Sequence, residues 1–243
     1  MKQYLLLALS TAVLLSACSK DQEFPAPITP PAAPDQGQVR VVNNLALATG
    51  GSGPSSAIQL QLNGNAVGPA VLAGSAGPYQ AVTVGEPFAQ IMLPASSGSS
   101  WVQFNKLPIV KNQRYTLFTH TIGTSQSAKV VTEAPAVPTP VAGKAQVRVI
   151  NLAAESTPVR IGEAQAPAPL YPEVTWGGVT GYQPVDARTY SLQVARTDGA
   201  QTTLFTQSVT LAAGKAYTLV LRGTTYSNAV APEKLAFDLI ADE

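Results

Sequence analysis

The sequence predicts an all-β protein built from two tandem antiparallel β-sandwiches, and three observations support this fold class. Apolar and polar residues alternate with a period of two in segments such as Ile58–Leu62 and Tyr190–Val194, as expected for half-buried strands. The 243 residues include 20 prolines and 19 glycines, and no long helical stripe runs between these turn residues. The two halves of the chain also repeat each other.

Residues 1–17 are predicted to be a lipoprotein signal peptide. Lys2 precedes the apolar run Tyr4–Leu15, which is too short to cross a bilayer about 30 Å thick as a stable helix. The small residues Ser16 and Ala17 then lead to Cys18, the only cysteine in the chain. We therefore expect Cys18 to carry the acyl chains, palmitate among them, that anchor the protein to a membrane.

The segment that follows Cys18 predicts how the protein is displayed. Ser19–Glu23 is a short charged stretch that resembles the export tag of Bacteroidota surface lipoproteins, which implies an outer-membrane protein facing the cell exterior. Any solvated linker looks similar, so the periplasmic leaflet is the alternative. Residues 18–36 contain five prolines and are expected to form an extended stalk of up to ~55 Å at about 3.1 Å per residue.

The charge and composition of the chain indicate no partner bound through electrostatic attraction. Removal of the signal peptide would take away Lys2, one of 15 basic residues, and leave 14 basic residues against 14 acidic ones. The charged fraction, 12%, is about half of the usual quarter. Because the basic residues are scattered, nucleic-acid binding is not expected.

The internal repeat defines the predicted domains. Three pairs of segments recur: Gln38–Asn43 with Gln146–Asn151, Tyr79–Val82 with Tyr182–Val185, and Tyr115–Leu117 with Tyr217–Leu219. We place the first sandwich at residues 37–133, a Pro-rich linker at 134–143, and the second sandwich at 144–243. The offset shrinks along the chain, and Ala46–Ala57, rich in Gly and Ser, is the expected site of the extra length. That loop is either a neutral insertion or part of a binding surface.

Each sandwich is expected to contain about seven strands. Asn63-Gly64 and Asp198-Gly199 are predicted hairpin turns, because these residues tolerate positive φ. Further strands are predicted at Arg114–Ile122, Thr203–Leu211, Ala216–Arg222 and Leu235–Ile240. No disulfide can form, so stability must come from alternating apolar faces that include Leu60, Leu62, Leu192, Val194, Leu219 and Phe237.

A family resemblance rests on motifs of the second repeat. Its Gln146–Asn151 opening strand, its Gly178–Tyr182 segment and its Ala-Gly-Lys-x-Tyr-Thr strand at Ala213–Leu219 resemble a bacterial cell-surface domain of unknown function, number 4397. The first repeat departs from this pattern at Lys111–Tyr115 and is expected to be a divergent copy. The resemblance implies Ig-like extracellular modules, and the family has no assigned catalytic residues.

Catalysis, metals and cofactors are not expected. The chain has one histidine, His120, and one cysteine, so it lacks the several His or Cys ligands that most transition-metal sites need. HExxH, P-loop and GxSxG motifs are absent from the sequence. A Ser-His-Asp triad would need His120, for which an ordinary strand position is the simpler interpretation. For glycoside hydrolysis, Glu173 is the best single carboxylate.

The aromatic stretch Tyr171–Tyr182 is the predicted binding region. Trp176 on a Gly-rich connection suits stacking on a sugar ring, with Tyr171 and Glu173 as flanking ligand contacts. Tyr182 aligns with Tyr79, so we expect both to fill the sandwich cores, and Trp101 is expected to pack. The predicted function is therefore a non-catalytic module that binds carbohydrate or matrix. The alternative is an architectural or adhesive protein that makes protein contacts, for example by strand addition at a sheet edge.

Overall fold

The structure is a computed structural model that describes most of the chain beyond the predicted stalk. The described residues are 34–45, 57–92, 100–104, 106–122, 125–133, 137–139, 141–154, 157–198, 202–225 and 234–242. The predicted signal peptide, Cys18, nearly all of the stalk and nearly all of the Ala46–Ala57 loop lie outside them, as do Gly199 and the side chain of Trp101. Among the described residues, no helix is long and apolar enough to cross a membrane.

Seventeen strands make up the described secondary structure, and they confirm the all-β prediction. The first repeat contains β1 (Gln36–Asn43), β2 (Ile58–Leu62), β3 (Asn65–Val71), β4 (Ser75–Ala76), β5 (Gln80–Thr83), β6 (Ala89–Met92), β7 (Ser100–Phe104), β8 (Arg114–Ile122) and β9 (Ser125–Glu133). The second contains β10 (Lys144–Asn151), β11 (Val159–Glu163), β12 (Tyr171–Val174), β13 (Gln183–Asp186), β14 (Thr189–Arg196), β15 (Thr203–Thr210), β16 (Ala216–Arg222) and β17 (Ala236–Asp242). Strands predicted at Arg114–Ile122 and Ala216–Arg222 are found at those residues.

The strands form two sheets in each repeat. In the first repeat one sheet has the order β4-β1-β8-β9, with β5 also paired to β1, and the other has the order β3-β2-β6-β7. In the second repeat the orders are β13-β10-β16-β17 and β12-β11-β14-β15. Most neighbours are antiparallel, but β1 pairs with β8, and β10 with β16, in parallel. Local alternation does not distinguish parallel from antiparallel pairing.

Each repeat has its own apolar core between its two sheets. In the first, Val39 and Leu117 of one sheet pack with Ile58 and Ile91 of the other. The predicted core residues are all buried: Leu60, Leu62, Leu192, Val194, Leu219 and Phe237. The inward-facing positions follow the strand period of two, which is why the sequence located them.

Strands β1 and β10 are buried on both faces. From Val39 to Asn43 and from Ala145 to Asn151 the burial is continuous rather than alternating. A third apolar cluster explains this, because it joins side chains of both repeats: Val42, Phe118, Val131, Ile150, Leu152, Val220 and Ile240. The sheets that contain β1 and β10 therefore face each other across a shared interface, and residues 34–243 form one compact unit.

Arginines in the repeated motif cross this interface reciprocally. Arg40 of the first repeat donates from Nη2 to Asp242 Oδ1 of the second at 2.7 Å. Arg148, at the same position of the second repeat, makes a bidentate pair with Glu133 of the first, at 2.7 and 3.0 Å. Glu133 and Asp242 occupy equivalent register positions on the last strands of their repeats. The interface is therefore approximately two-fold symmetric: the arginine of each repeat pairs with the carboxylate on the last strand of the other repeat.

Neighbouring side chains orient the two guanidinium groups. Arg40 Nε donates to Thr116 Oγ1 at 3.1 Å, and Arg148 Nε donates to Thr218 Oγ1 at 2.8 Å. Each threonine lies on the strand that pairs in parallel with the arginine's own strand. These buried charges are therefore both paired and hydrogen bonded, as burial of a charge requires.

Tyr79 and Tyr182 belong to this interface and do not fill the sandwich cores, so that expectation was wrong. The Tyr79 ring lies 4.6 Å from the Arg40 guanidinium, and the Tyr182 ring lies 4.9 Å from that of Arg148. The Tyr182 hydroxyl donates to Asp242 Oδ2 at 2.8 Å. Both tyrosines are half-buried because they cover the arginines on the side of each sheet that faces away from its own core.

We predict that replacing Asp242 with alanine lowers the free energy of unfolding by about 3–5 kcal/mol, because Arg40 is left buried without its carboxylate partner. The matched control is Glu86→Ala, which breaks an ion pair with Lys106 whose side chains are 67% and 60% exposed. That change should cost less than about 1 kcal/mol. Urea unfolding of both variants provides the measurement, and equal costs would contradict a stabilising interface.

Candidate functional site

A tight turn between β12 and β13 presents Trp176. Gly177 has φ 69°, a conformation that glycine adopts at low cost, and its N–H donates to the Asn151 carbonyl at 2.7 Å. A Cβ atom on Gly178 would lie 2.8 Å from the Thr175 carbonyl oxygen. The backbone therefore favours glycine at positions 177 and 178, and the hydrogen bond to Asn151 fixes the turn against β10.

The Trp176 indole lies half on the surface and half against the other repeat. It is 49% exposed, the largest exposed aromatic side chain among the described residues. Its ring meets the His120 ring edge to face, with centroids 6.2 Å apart and an interplanar angle of 72°. Because His120 lies on β8, the indole also covers one end of the inter-repeat interface.

The corresponding turn of the first repeat carries Ala73 in place of Trp176. Gly74 has φ 73°, and its N–H donates to the Asn43 carbonyl at 2.7 Å, as Gly177 does to Asn151. The repeat in the sequence does not show which residue of the first repeat corresponds to Trp176, because the two turns share backbone hydrogen bonds rather than a common sequence. The aromatic is thus a feature of one repeat.

The two ends of the inter-repeat interface consequently differ in chemistry. The counterpart of His120 is Arg222, whose Nε donates to Asp238 Oδ2 at 2.7 Å. The same oxygen accepts a bond from Asn44 Nδ2 at 2.8 Å. One end is therefore a polar cluster that links the repeats, and the other is the aromatic pair of His120 and Trp176.

His120 is buried at the aromatic end of the interface. Its side chain lies on strand β8, as predicted, and is 4% exposed. Neither ring nitrogen has a partner within the part of the chain that the structure describes. Burial lowers the pKa of His120; the Phe118 backbone opposes this shift, and the nearby positive charge of Lys129 adds to it. The net effect favours the neutral imidazole.

The other two predicted ligand contacts, Tyr171 and Glu173, both lie on β12 but face opposite sides of the sheet. Tyr171 is 2% exposed in the core of the second repeat, and its hydroxyl donates to the Val147 carbonyl. Glu173 is exposed. A bulge opposite Arg160 turns both Tyr171 and Val174 inward. Strict alternation along β12 would place these two side chains on opposite faces of the sheet. Tyr171 is a core residue and cannot contact a surface ligand beside Trp176, which corrects the predicted ligand set.

The described residues show no metal centre and no membrane-spanning helix. No group of three or more His, Cys, Asp or Glu side chains among them could hold a metal ion. The functional residues that sequence reasoning missed are the interface arginines and their partners. Their sequence signal is an arginine in the middle of an apolar strand in both repeats, at Arg40 and Arg148.

The fold and the repeat define the class of this protein as tandem β-sandwiches with a shared interface. The chain belongs to the family described as domain of unknown function (DUF4397), whose sequence profile matches residues 37–162 and 165–242. A comparison with curated proteins found no match.

Three similar solved structures share little sequence with this chain. CBMbc, a family CBM26 module from Eubacterium rectale Amy13K solved in complex with maltoheptaose, is 10% identical with a TM-score of 0.26, over 82% of this chain and 100% of that chain. A candidate cell adhesion protein from Bacteroides fragilis is 14% identical with a TM-score of 0.23, over 86% and 98% of the two chains. A DUF3823 family protein from Bacteroides ovatus is 10% identical with a TM-score of 0.19, over 73% and 100%. Similarities at this level carry no argument about function.

We predict that His120 makes the stability of the protein depend on pH. The unfolded state takes up a proton near pH 6.5, whereas the folded state, with its lowered pKa, takes it up only at a lower pH, so the free energy of unfolding should fall as the pH falls below 6.5. His120→Phe keeps an aromatic ring beside Trp176 and removes the titration. Urea unfolding at pH 7.5 and pH 5 should show a smaller loss for the variant, and equal losses would show that His120 titrates as it does in the unfolded chain.

Proposed function

We propose that this protein is a lipid-anchored, non-catalytic module on the exterior of the outer membrane that binds carbohydrate or matrix polymers. The observation that carries the binding proposal is Trp176, which a rigid turn holds half-exposed at the edge of the molecule. An exposed indole on a fixed backbone offers an apolar plane to a sugar ring with little loss of conformational freedom. Glu173, exposed on the adjacent strand, supplies a hydrogen-bond acceptor.

A non-catalytic role is supported by the position of His120. It is the one histidine of the chain and the base that a serine nucleophile would need. Its ring is buried beneath Trp176 and has no described hydroxyl or carboxylate in hydrogen-bond contact. This geometry does not suit proton transfer to a substrate.

The second candidate is an architectural or adhesive role through protein contacts. It is favoured by the shared core and the reciprocal ion pairs, which make residues 34–243 one compact block rather than two independent modules. A rigid block of this kind suits a spacer or an adhesive element. The two functions differ in whether Trp176 is used.

We predict that residues 34–243 bind insoluble or immobilised polysaccharides and that Trp176→Ala weakens the binding about tenfold or more, as expected for loss of an aromatic anchor. Leu72→Ala is the matched control, because Leu72 is 58% exposed on the equivalent turn of the first repeat. Tyr171→Phe should leave binding unchanged, since that side chain is buried.

A pull-down on a panel of polysaccharides measures this. Binding that survives Trp176→Ala would remove Trp176 from the site. No binding to any polysaccharide would contradict the carbohydrate proposal and favour the architectural one.

The anchor predicts a second result. Replacing Cys18 with alanine removes the only thiol that can be acylated, so the protein should leave the membrane fraction or accumulate unprocessed. Fractionation and gel mobility of the Cys18→Ala and native proteins provide the measurement. A variant that remains in the membrane fraction at the mature size would contradict lipidation, and protection from protease on intact cells would contradict surface display.

A further inference from the structure

A small pocket lies on the outer face of the second repeat, apart from Trp176. The loop between β11 and β12 folds back over the sheet β12-β11-β14-β15 and encloses about 100 Å³. Val159 and Ile161 of β11 point into the core, so Arg160 and Gly162 face outward. Gln193 of β14 lies opposite Gly162 and contributes to the same pocket.

The backbone of the pocket depends on Gly162. A Cβ atom at this position would lie 2.7 Å from the Pro169 Cα atom, so only glycine lets the loop pack this closely on the strand. The loop contributes Ala166, Pro167 and Pro169 as an apolar wall. The pocket is therefore a built feature of the fold rather than a gap between mobile side chains.

The charge of the pocket is positive. Glu163 also lines it, but both of its carboxylate oxygens accept bonds from Arg188, at 2.9 and 2.5 Å. Arg160 is half-buried and makes no hydrogen bond or ion pair with any residue that the structure describes. Arg160 is thus the unpaired charged group of the described lining, and exposed Glu173 lies opposite it on β12 without forming an ion pair with it.

The polar groups suit a sugar that carries a carboxylate. A guanidinium offers a planar fork that matches a carboxylate in a bidentate pair. Gln193 donates from Nε2 to Thr203 Oγ1 at 2.8 Å, which fixes its amide and leaves the Oε1 oxygen to accept from a hydroxyl. The proline wall provides the apolar contact that the C–H face of a sugar ring requires.

We propose that this pocket binds the hexuronate units of an acidic polysaccharide, with Arg160 on the sugar carboxylate, Gln193 on a ring hydroxyl and the proline wall against the ring. This inference rests on the proposed carbohydrate-binding function and names the class of sugar. A neutral sugar leaves the Arg160 charge without a partner, and inorganic phosphate lacks the ring that contacts the wall.

The test is calorimetric titration of the full chain, kept in a neutral detergent, with a galacturonate oligosaccharide. The matched ligand is the same oligosaccharide after its carboxylates have been reduced to hydroxymethyl groups, and inorganic phosphate is the third. Arg160→Gln should weaken galacturonate binding at least about tenfold, the cost of losing a charge-assisted pair. Lys215→Gln, the same change of charge at an exposed turn residue outside the pocket, should have no effect.

A second variant tests the shape without changing the charge. Gly162→Ala should displace the loop and weaken galacturonate binding, while thermal unfolding of all variants shows whether they remain folded. Failure of the native protein to bind galacturonate, undiminished binding by Arg160→Gln, or equally tight binding of phosphate or of the reduced oligosaccharide would each overturn the proposal.

The outcomes separate this inference from the proposed function. Loss of galacturonate binding in Arg160→Gln, with Trp176-dependent binding of neutral polysaccharides retained, supports both. Binding of neutral polysaccharides through Trp176, without binding of galacturonate, overturns the proposal for the pocket but not the proposed function. Absence of binding to every glycan overturns both.

Discussion

The reciprocal pairing of two buried arginines with carboxylates of the opposite repeat is the constraint on which the rest of the structure depends. Arg40 with Asp242, and Arg148 with Glu133, tie together two sheets that would otherwise be the solvent faces of separate sandwiches. The pairs place charges inside an apolar interface, so they specify one relative register of the repeats, because a shifted register would leave charges buried and unpaired. Tyrosines and threonines around each guanidinium complete the hydrogen bonding.

This interface also determines where function can reside. It buries one face of each inner sheet and leaves the outer sheets, the turns and the sheet edges for ligands. The break in its symmetry is informative, since one end carries Arg222 and Asp238 and the other carries His120 and Trp176. The second repeat thus presents an aromatic turn and a pocket lined by Arg160, while both repeats keep the shared packing.

The sequence predicted what depends on local periodicity and missed what depends on distant pairing. Alternation located core residues such as Leu60 and Leu192, because a period of two determines which face a side chain takes. It placed Tyr171 beside Trp176, but a bulge turned Tyr171 inward. The arginines in the apolar strands were visible in the sequence, but their partners could not be predicted, since Arg40 and Asp242 lie 202 residues apart. The pocket was equally hidden, because it arises from loop packing over Gly162.

The central claim is that the two repeats fold as one unit through their shared interface. Differential scanning calorimetry of residues 34–243 tests it most directly. A single transition, with equal calorimetric and van't Hoff enthalpies, is the predicted result, because neither inner sheet is fully covered without the other repeat. Two resolved transitions, each with the enthalpy of about half the chain, would show that the repeats are independent domains and would contradict the account.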